Sequence, residues 1–360
     1  MLQRLAHSAA SITAIEIAGK PGNWFEETDA GSGPFRLVEW ARNQRVVLQS
    51  APASHRPPAV ARLEFQVIPD AATRTAVYER GDLDLVQLTA EDFLRYSRDP
   101  VRAKEVRQVP RATTQFFILN PTVYAPARDV RVRRAFAQVI NKEQIIRAIF
   151  QGVGVPAAGI LPPFVPGHDP RMKGIPYDPA AAQKLLAEAG FPGGRGLPPL
   201  EIAFNPRGAS SKDVAEVLGA VFQKELGVQT SLVQMDFARY RTAWFNKNVL
   251  AGNWTGWTAA FLDPNYHLGG LLTSGSPSNF ANYANPAYDR LIDEANATTD
   301  RRRQIARFQQ AERLAIVDDV AVIPVMHPRS IIAIKPYVKG VEVYPLMMGY
   351  RPLVTARVER

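Results

Sequence analysis

The five histidines are the obvious places to look for chemistry, and their spacing argues against it: His7, His55, His168, His267 and His327 stand far apart. No pair has the short repeat of a metal-binding helix such as H-E-x-x-H. The chain has no cysteine, which removes thiol nucleophiles, disulfides and thiolate metal sites together. Neither a G-x-S-x-G elbow nor a G-x-x-x-x-G-K-[ST] phosphate loop occurs. Gly152-x-Gly154-x-x-Ala157 has the letters of a dinucleotide fingerprint, but it follows a helical pattern and runs into prolines, the wrong context for a phosphate cradle. The carboxylate pairs Asp318-Asp319 and Asp82/Asp84 fall where caps and turns need them. No catalytic residue, metal site or cofactor is expected.

What remains is a concentration of rings: Trp244, Phe245, Trp254, Trp257, Phe261 and Tyr266, interrupted by Gly252, Gly256 and the turn Asp263-Pro264. The segment reads as too irregular for a single strand or helix. Rings with glycines and small polar groups suit a concave binding site, where the rings give contact area and nearby amides fix orientation. A core beneath a loop explains the same residues.

The elements that would position such a site change character along the chain. Phe35 to Trp40 reads as a strand, and Leu63, Phe65 and Val67 alternate with Glu64, Gln66 and Ile68 as in a strand partly buried on both faces. Gly81-Asp82 turns into a further strand. From Asp129, a plausible N-cap, an apolar stripe runs through Val132, Phe136, Val139, Ile140, Ile146, Ile149 and Phe150 to a stop at Gly152. Asp178-Pro179 opens a helix that Gly190 ends. Leu200 to Phe204, a helix capped by Ser210 or Ser211 and stopped by Gly227, and Val228 to Val233 together form a βαβ unit with parallel strands. In such sheets ligands sit beyond the carboxyl ends of the strands, here at the loop 205–209. Helices starting at Asn285-Pro286 and at Asp300, then strands at Val320 to Val325 and Ile331 to Ile334, complete the pattern.

At 360 residues the chain exceeds what one core usually spans, so two lobes are expected. Its 46% apolar and 21% charged residues fit a globular protein, and no stretch approaches the roughly 18 uninterrupted apolar residues of a membrane span. It is not expected to be an integral membrane protein. Met1 to Ala10 lacks the apolar run of a secretory signal, so either the protein stays in the cytoplasm or this chain starts inside a longer one. The net charge of +9 could draw nucleic acid, but the arginine runs Arg131, Arg133, Arg134 and Arg301 to Arg303 open predicted helices without interleaved aromatics. They read as solvated helix faces, and no nucleic-acid partner is expected.

Several segments in order resemble the extracytoplasmic solute-binding proteins of ABC transporters, family 5, the peptide/nickel/oligopeptide-binding group. Gly31-Ser32-Gly33-Pro34-Phe35-Arg36-Leu37-Val38-Glu39-Trp40 is similar to the family's G-T-G-P-Y-x-L-x-x-W segment. Ile68-Pro69-Asp70 with Gly81-Asp82-Leu83-Asp84 resembles its next strand–helix–strand. Asp129 to Arg133 with Ala135-Phe136 and Ile140-Asn141-Lys142 is similar to D-V-R-V-R-x-A-x-x-x-x-I-D-R. Tyr177-Asp178-Pro179 through Gly190-Phe191 resembles Y-D-P-x-x-A-x-x-L-L-x-E-A-G-Y, and Asn285-Pro286-Ala287-Tyr288-Asp289 resembles N-P-x-Y-D.

The resemblance implies an α/β, two-lobed periplasmic-binding-protein-like fold (type II, cluster C) with crossover hinge segments at Gln115 to Asn120 and Pro324 to Pro328. Residues 1–118 would form an incomplete first lobe, 119–325 the second, and 326–360 the return to the first. It implies capture of a small organic or peptide-like ligand in an interlobe cleft and its delivery to permease subunits, by a periplasmic or extracytoplasmic monomer with no enzymatic activity and no cofactor. A truncated remnant without ligand affinity and an α/β enzyme are the alternatives. The ligand would touch Trp257, Thr258, Ala259, Ala260, Trp254, Asp263, Tyr266, Phe117, Asn120, Met326 and His327. Peptide-binding relatives carry W-x-x-D, whose aspartate pairs with the peptide's amino group; here Ala260 takes that place. Unless Asp263 substitutes, a free amino terminus is disfavoured.

Overall fold

The computed structural model describes residues 33–206, 210–245, 251–342, 345–346 and 353–359. Gly31, Ser32, loop residues 207–209 and the side chains of Trp244 and Phe245 lie outside this description. The chain divides into two units, one formed by residues up to Pro110 together with those from Arg329 onward, the other by Arg111–Pro328.

The first unit holds two small sheets. Strands β1 (Phe35–Ala41), β2 (Arg45–Ser50) and β3 (Arg62–Gln66) pair antiparallel in that order. β3 differs from expectation: as the outer strand it leaves Phe65 and, just beyond it, Val67 exposed. Helix α1 (Ala71–Arg80) is capped by Asp70, whose carboxylate accepts the Thr73 N–H. It leads to β4 (Leu85–Leu88), helix α2 (Ala90–Ser97) and β5 (Val106–Pro110). The late strand β12 (Arg329–Ile334) lies between β4 and β5, antiparallel to both. Buried Tyr78 donates from its hydroxyl to Glu105 at 2.7 Å, and the Lys335 ammonium sits 4.1 Å from its ring centroid.

The second unit is built on a six-stranded sheet in the order β7 (Val155–Pro156), β11 (Ile323–His327), β6 (Thr113–Leu119), β10 (Gly252–Thr258), β8 (Leu200–Phe204), β9 (Thr230–Gln234). β10, β8 and β9 run parallel, so the expected βαβ unit is present, with helix α6 (Ser211–Leu226) as its crossover. Gly227, at φ 67, ends α6 in the left-handed region where glycine is favoured. Helices α3 (Val130–Gln138), α4 (Lys142–Phe150), α5 (Pro179–Glu188) and α6 supply the core on one face, against Phe117, Leu119, Ile202 and Trp254. On the other face α8 (Pro264–Leu272), α9 (Pro286–Ala297) and α10 (Arg301–Arg313) pack with Phe116 and Ile118. Helix α7 (Phe237–Phe245) lies between β9 and β10 in the chain.

Two expectations about the second unit are corrected. The stripe from Asp129 is two helices, because the Asn141 side chain accepts the Gln144 N–H at 2.9 Å and starts α4 afresh. The segments 115–120 and 324–328 lie largely within the paired strands β6 and β11, which run antiparallel with Ile323 opposite Phe117. The chain changes unit at Pro110/Arg111 and at Pro328/Arg329, the end of the second segment.

The second correction concerns the arginines. After α10 the chain makes a wide π-helical turn at Leu314–Asp318 and reaches Val320 at φ 50, an unusual conformation for a β-branched residue. The Arg133 guanidinium on α3 donates to the carbonyls of Asp319 (Nε, 2.9 Å), Val320 (3.2 Å) and Ala127 (2.7 Å), while Arg134 donates to Val317 and Asp318. These cations satisfy carbonyls that the turn leaves without helical partners. Arg301 to Arg303 are exposed, as a solvated face requires. Arg133→Ala should therefore lower stability by about 2 kcal/mol in urea titrations, while Arg302→Ala should stay within about 0.5 kcal/mol.

Candidate functional site

The ring segment is divided among several elements, as its irregular pattern implied. Gly252–Thr258 is the inner strand β10, and Asp263 and Pro264 start α8, with the Asp263 carboxylate accepting the Asn265 N–H at 2.8 Å. Alternation along β10 separates its tryptophans. Trp254 is buried and faces the α3–α6 core, whereas half-buried Trp257 faces α8 and packs at the edge of the other core. The Trp257 indole N–H donates to the Tyr266 carbonyl at 3.0 Å, which pins the ring against the start of α8. Its ring centroid lies 5.4 Å from Tyr266 and 6.0 Å from Phe280. Phe261 meets Tyr266 edge-on at 4.9 Å. Trp257, Phe261 and Tyr266 thus form one half-buried aromatic edge whose indole donor is already satisfied.

The other expected residues fall into separate groups. The Thr258 hydroxyl meets that of Thr113 across β10 and β6 at 2.9 Å, and buried Ala259 donates its N–H to the Ala112 carbonyl at 2.7 Å. Ala260 is half-buried beside them in the chain. Phe117 is wholly buried against Phe222, at 5.2 Å between centroids, and Met326 is equally buried. Asn120 builds a turn: its side-chain oxygen accepts from the Thr122 N–H at 3.0 Å and from the Thr122 hydroxyl at 2.7 Å. Phe117, Trp254, Met326 and Asn120 therefore serve the interior of this unit. The structure brings Trp257, Asp263 and Tyr266 together, with Thr258 and Ala260 adjoining.

His327 sits in a polar group that sequence reasoning missed. Thr114, on β6, has one hydroxyl proton and donates it to the Ile160 carbonyl at 2.7 Å. The 3.0 Å contact between the same oxygen and His327 Nδ1 must then be donated by the imidazole, which leaves Nε2 as an unprotonated acceptor. That nitrogen is buried and finds no protein partner among the described residues, and neither ring nitrogen of His267 does. Burial pushes both imidazoles down to about 3, so both stay neutral at ordinary pH. The Lys142 amine donates to the Ala157 carbonyl at 2.7 Å, and Glu312 Oε1 accepts the N–H groups of Ile160 (2.7 Å) and Leu161 (2.9 Å). Lys142 and Glu312 stand in helices whose apolar stripes gave no hint of them. Among the described residues no cluster of histidines and carboxylates could hold a metal ion, and no helix is long and apolar enough to cross a membrane.

A model of the bacterial extracellular solute-binding proteins, family 5 (middle region), matches residues 1–279. "Heme-binding protein A" of Haemophilus influenzae is 32% identical over 93% of this chain and 61% of its own length. The dipeptide-binding protein of Escherichia coli is 27% identical over 96% of this chain and 65% of its own length. The chain thus spans less than two thirds of either relative. Among solved structures, the ABC transporter-associated periplasmic binding protein DppA from Helicobacter pylori, in complex with peptide STSA, superposes with a TM-score of 0.82. It is 19% identical, over all of this chain and 70% of that one. The Escherichia coli murein tripeptide binding protein MppA gives the same TM-score at 20% identity, again over all of this chain and 70% of that one. The fold is that of these periplasmic binding proteins.

The buried amine of Lys142 makes a pH prediction. Burial lowers its pKa from 10.5 to about 8, so between those values the unfolded chain holds more protons than the folded one and stability rises with pH. Relative to Lys142→Met, the wild type should gain about 3 kcal/mol through that window in urea titrations. A constant difference would contradict the burial of a charged amine.

Proposed function

We propose, because this chain belongs to the bacterial extracellular solute-binding proteins of family 5, that it captures a small organic solute and delivers it to the permease subunits of an ABC transporter. It acts as a monomer in the periplasm or another extracytoplasmic compartment, and capture makes and breaks no covalent bond. The supporting observation is the aromatic edge of Trp257, Tyr266 and Phe261. Its half-buried rings offer contact area at little entropic cost, and the satisfied indole N–H leaves recognition to the ring surface and to neighbouring groups such as Thr258 and Ala260.

The two relatives named above carry different ligands in their names, heme and dipeptides. The local charge favours a ligand without a free ammonium at this edge. Ala260 offers no carboxylate, and Asp263, the nearest acid in the chain, is engaged as the N-cap of α8. A desolvated ammonium without a partner costs several kcal/mol.

Calorimetric titration with a hydrophobic dipeptide, its N-acetylated form and hemin tests the reading. The acetylated peptide or hemin should bind about 100-fold more tightly than the free dipeptide, and Trp257→Ala should weaken the better ligand by about 2 kcal/mol. Preference for the free amine would refute the charge argument. Recovery of a chemically altered ligand would refute capture without chemistry.

A further inference from the structure

Residues 157–168, between β7 and α5, contain Pro162, Pro163 and Pro166, which have no N–H to give to a sheet. Side chains from several elements hold this strap in place. Lys142 on α4 binds the Ala157 carbonyl, Thr114 on β6 binds the Ile160 carbonyl, and Glu312 on α10 accepts the N–H groups of Ile160 and Leu161. Within the strap, His168 Nδ1 meets the Leu161 carbonyl at 2.9 Å. Gly159 passes so close beneath Glu312 that a Cβ there would collide with the carboxylate.

Glu312 is only 1% exposed, and no cation forms an ion pair with it among the described residues. Desolvation outweighs its two N–H bonds and pushes the carboxyl up to about 7. The acidic groups acting on it are Asp169, just past the strap, and Tyr288 on α9. Neither favours ionisation. Helix α8, which also packs on α10, carries Tyr266, raised by burial, and His267, held near 3, so both stay uncharged between pH 5 and 8. His168 Nδ1 donates its proton to the Leu161 carbonyl.

We propose that Glu312 makes the 157–168 strap a proton-linked latch, closed over the neutral carboxyl and released as the carboxyl ionises. When the strap lifts, water reaches Glu312 and its proton affinity falls to that of an ordinary glutamate, so lifting releases a proton and grows easier as pH rises. The inference stands apart from ligand capture and does not depend on it.

Amide exchange in the full chain, expressed as protection factors from pH 5 to 8, tests the latch, with Leu218 and Phe222 in α6 as references. Protection at Ile160 and Leu161 should fall about 100-fold relative to the references across that range in the wild type, and stay level in Glu312→Gln. Equal profiles in wild type and variant would overturn the proposal. If the variant does not fold, the wild type decides: a level profile, or a fall shared equally by α6, refutes the latch.

Discussion

Strand β6 lies third in a six-stranded sheet with helices on both faces. Its apolar side chains from Phe116 to Leu119 must therefore enter one core or the other. Phe117 and Leu119 go to the α3–α6 core, Phe116 and Ile118 to the α8–α10 core, and the rest of the second unit is arranged to cover them. Each such ring or branched chain is worth about 1.5–3 kcal/mol when removed from water. The register with β10 then carries the same alternation outward and sets Trp254 inside one core and Trp257 at the edge of the other.

Where the alternation meets polar residues, the chain resolves the conflict with hydrogen bonds instead of exposure. Thr114 lies opposite Trp257 in the β6–β10 pair, and its hydroxyl serves both the Ile160 carbonyl and the His327 imidazole. Arg133 and Arg134 perform the matching service for carbonyls after α10. A charged side chain that reaches backbone across the fold does more for stability than one on a helix face, because it meets groups that would otherwise be buried without partners.

Much of this was legible in the sequence, for reasons that are local. Asp178-Pro179 with Gly190 and Asn285-Pro286 start helices that their side chains cap as read, and the Leu200–Val233 unit folds as strand, helix and strand, although Ser210 at the helix start makes no side-chain capping bond. The break at Asn141 was not legible, since Val139 and Ile140 continue the apolar stripe across it. Within the ring segment, glycines and closely spaced tryptophans disguise the alternation of a central strand. Glu312, Lys142 and the role of Thr114 depend on partners about 15 to 150 residues distant, which no periodicity reports. Of the expected site, Trp257, Asp263 and Tyr266 come together because one strand and the following helix hold them. Phe117 and Met326 stand near the expected crossovers, and both are wholly buried.

Native mass spectrometry of the purified chain, beside Trp257→Ala, addresses the central claim most directly. Capture at the aromatic edge predicts that a small molecule travels with the wild type, is released intact on denaturation and is absent or much depleted in the variant. An adduct retained equally by both proteins would contradict it.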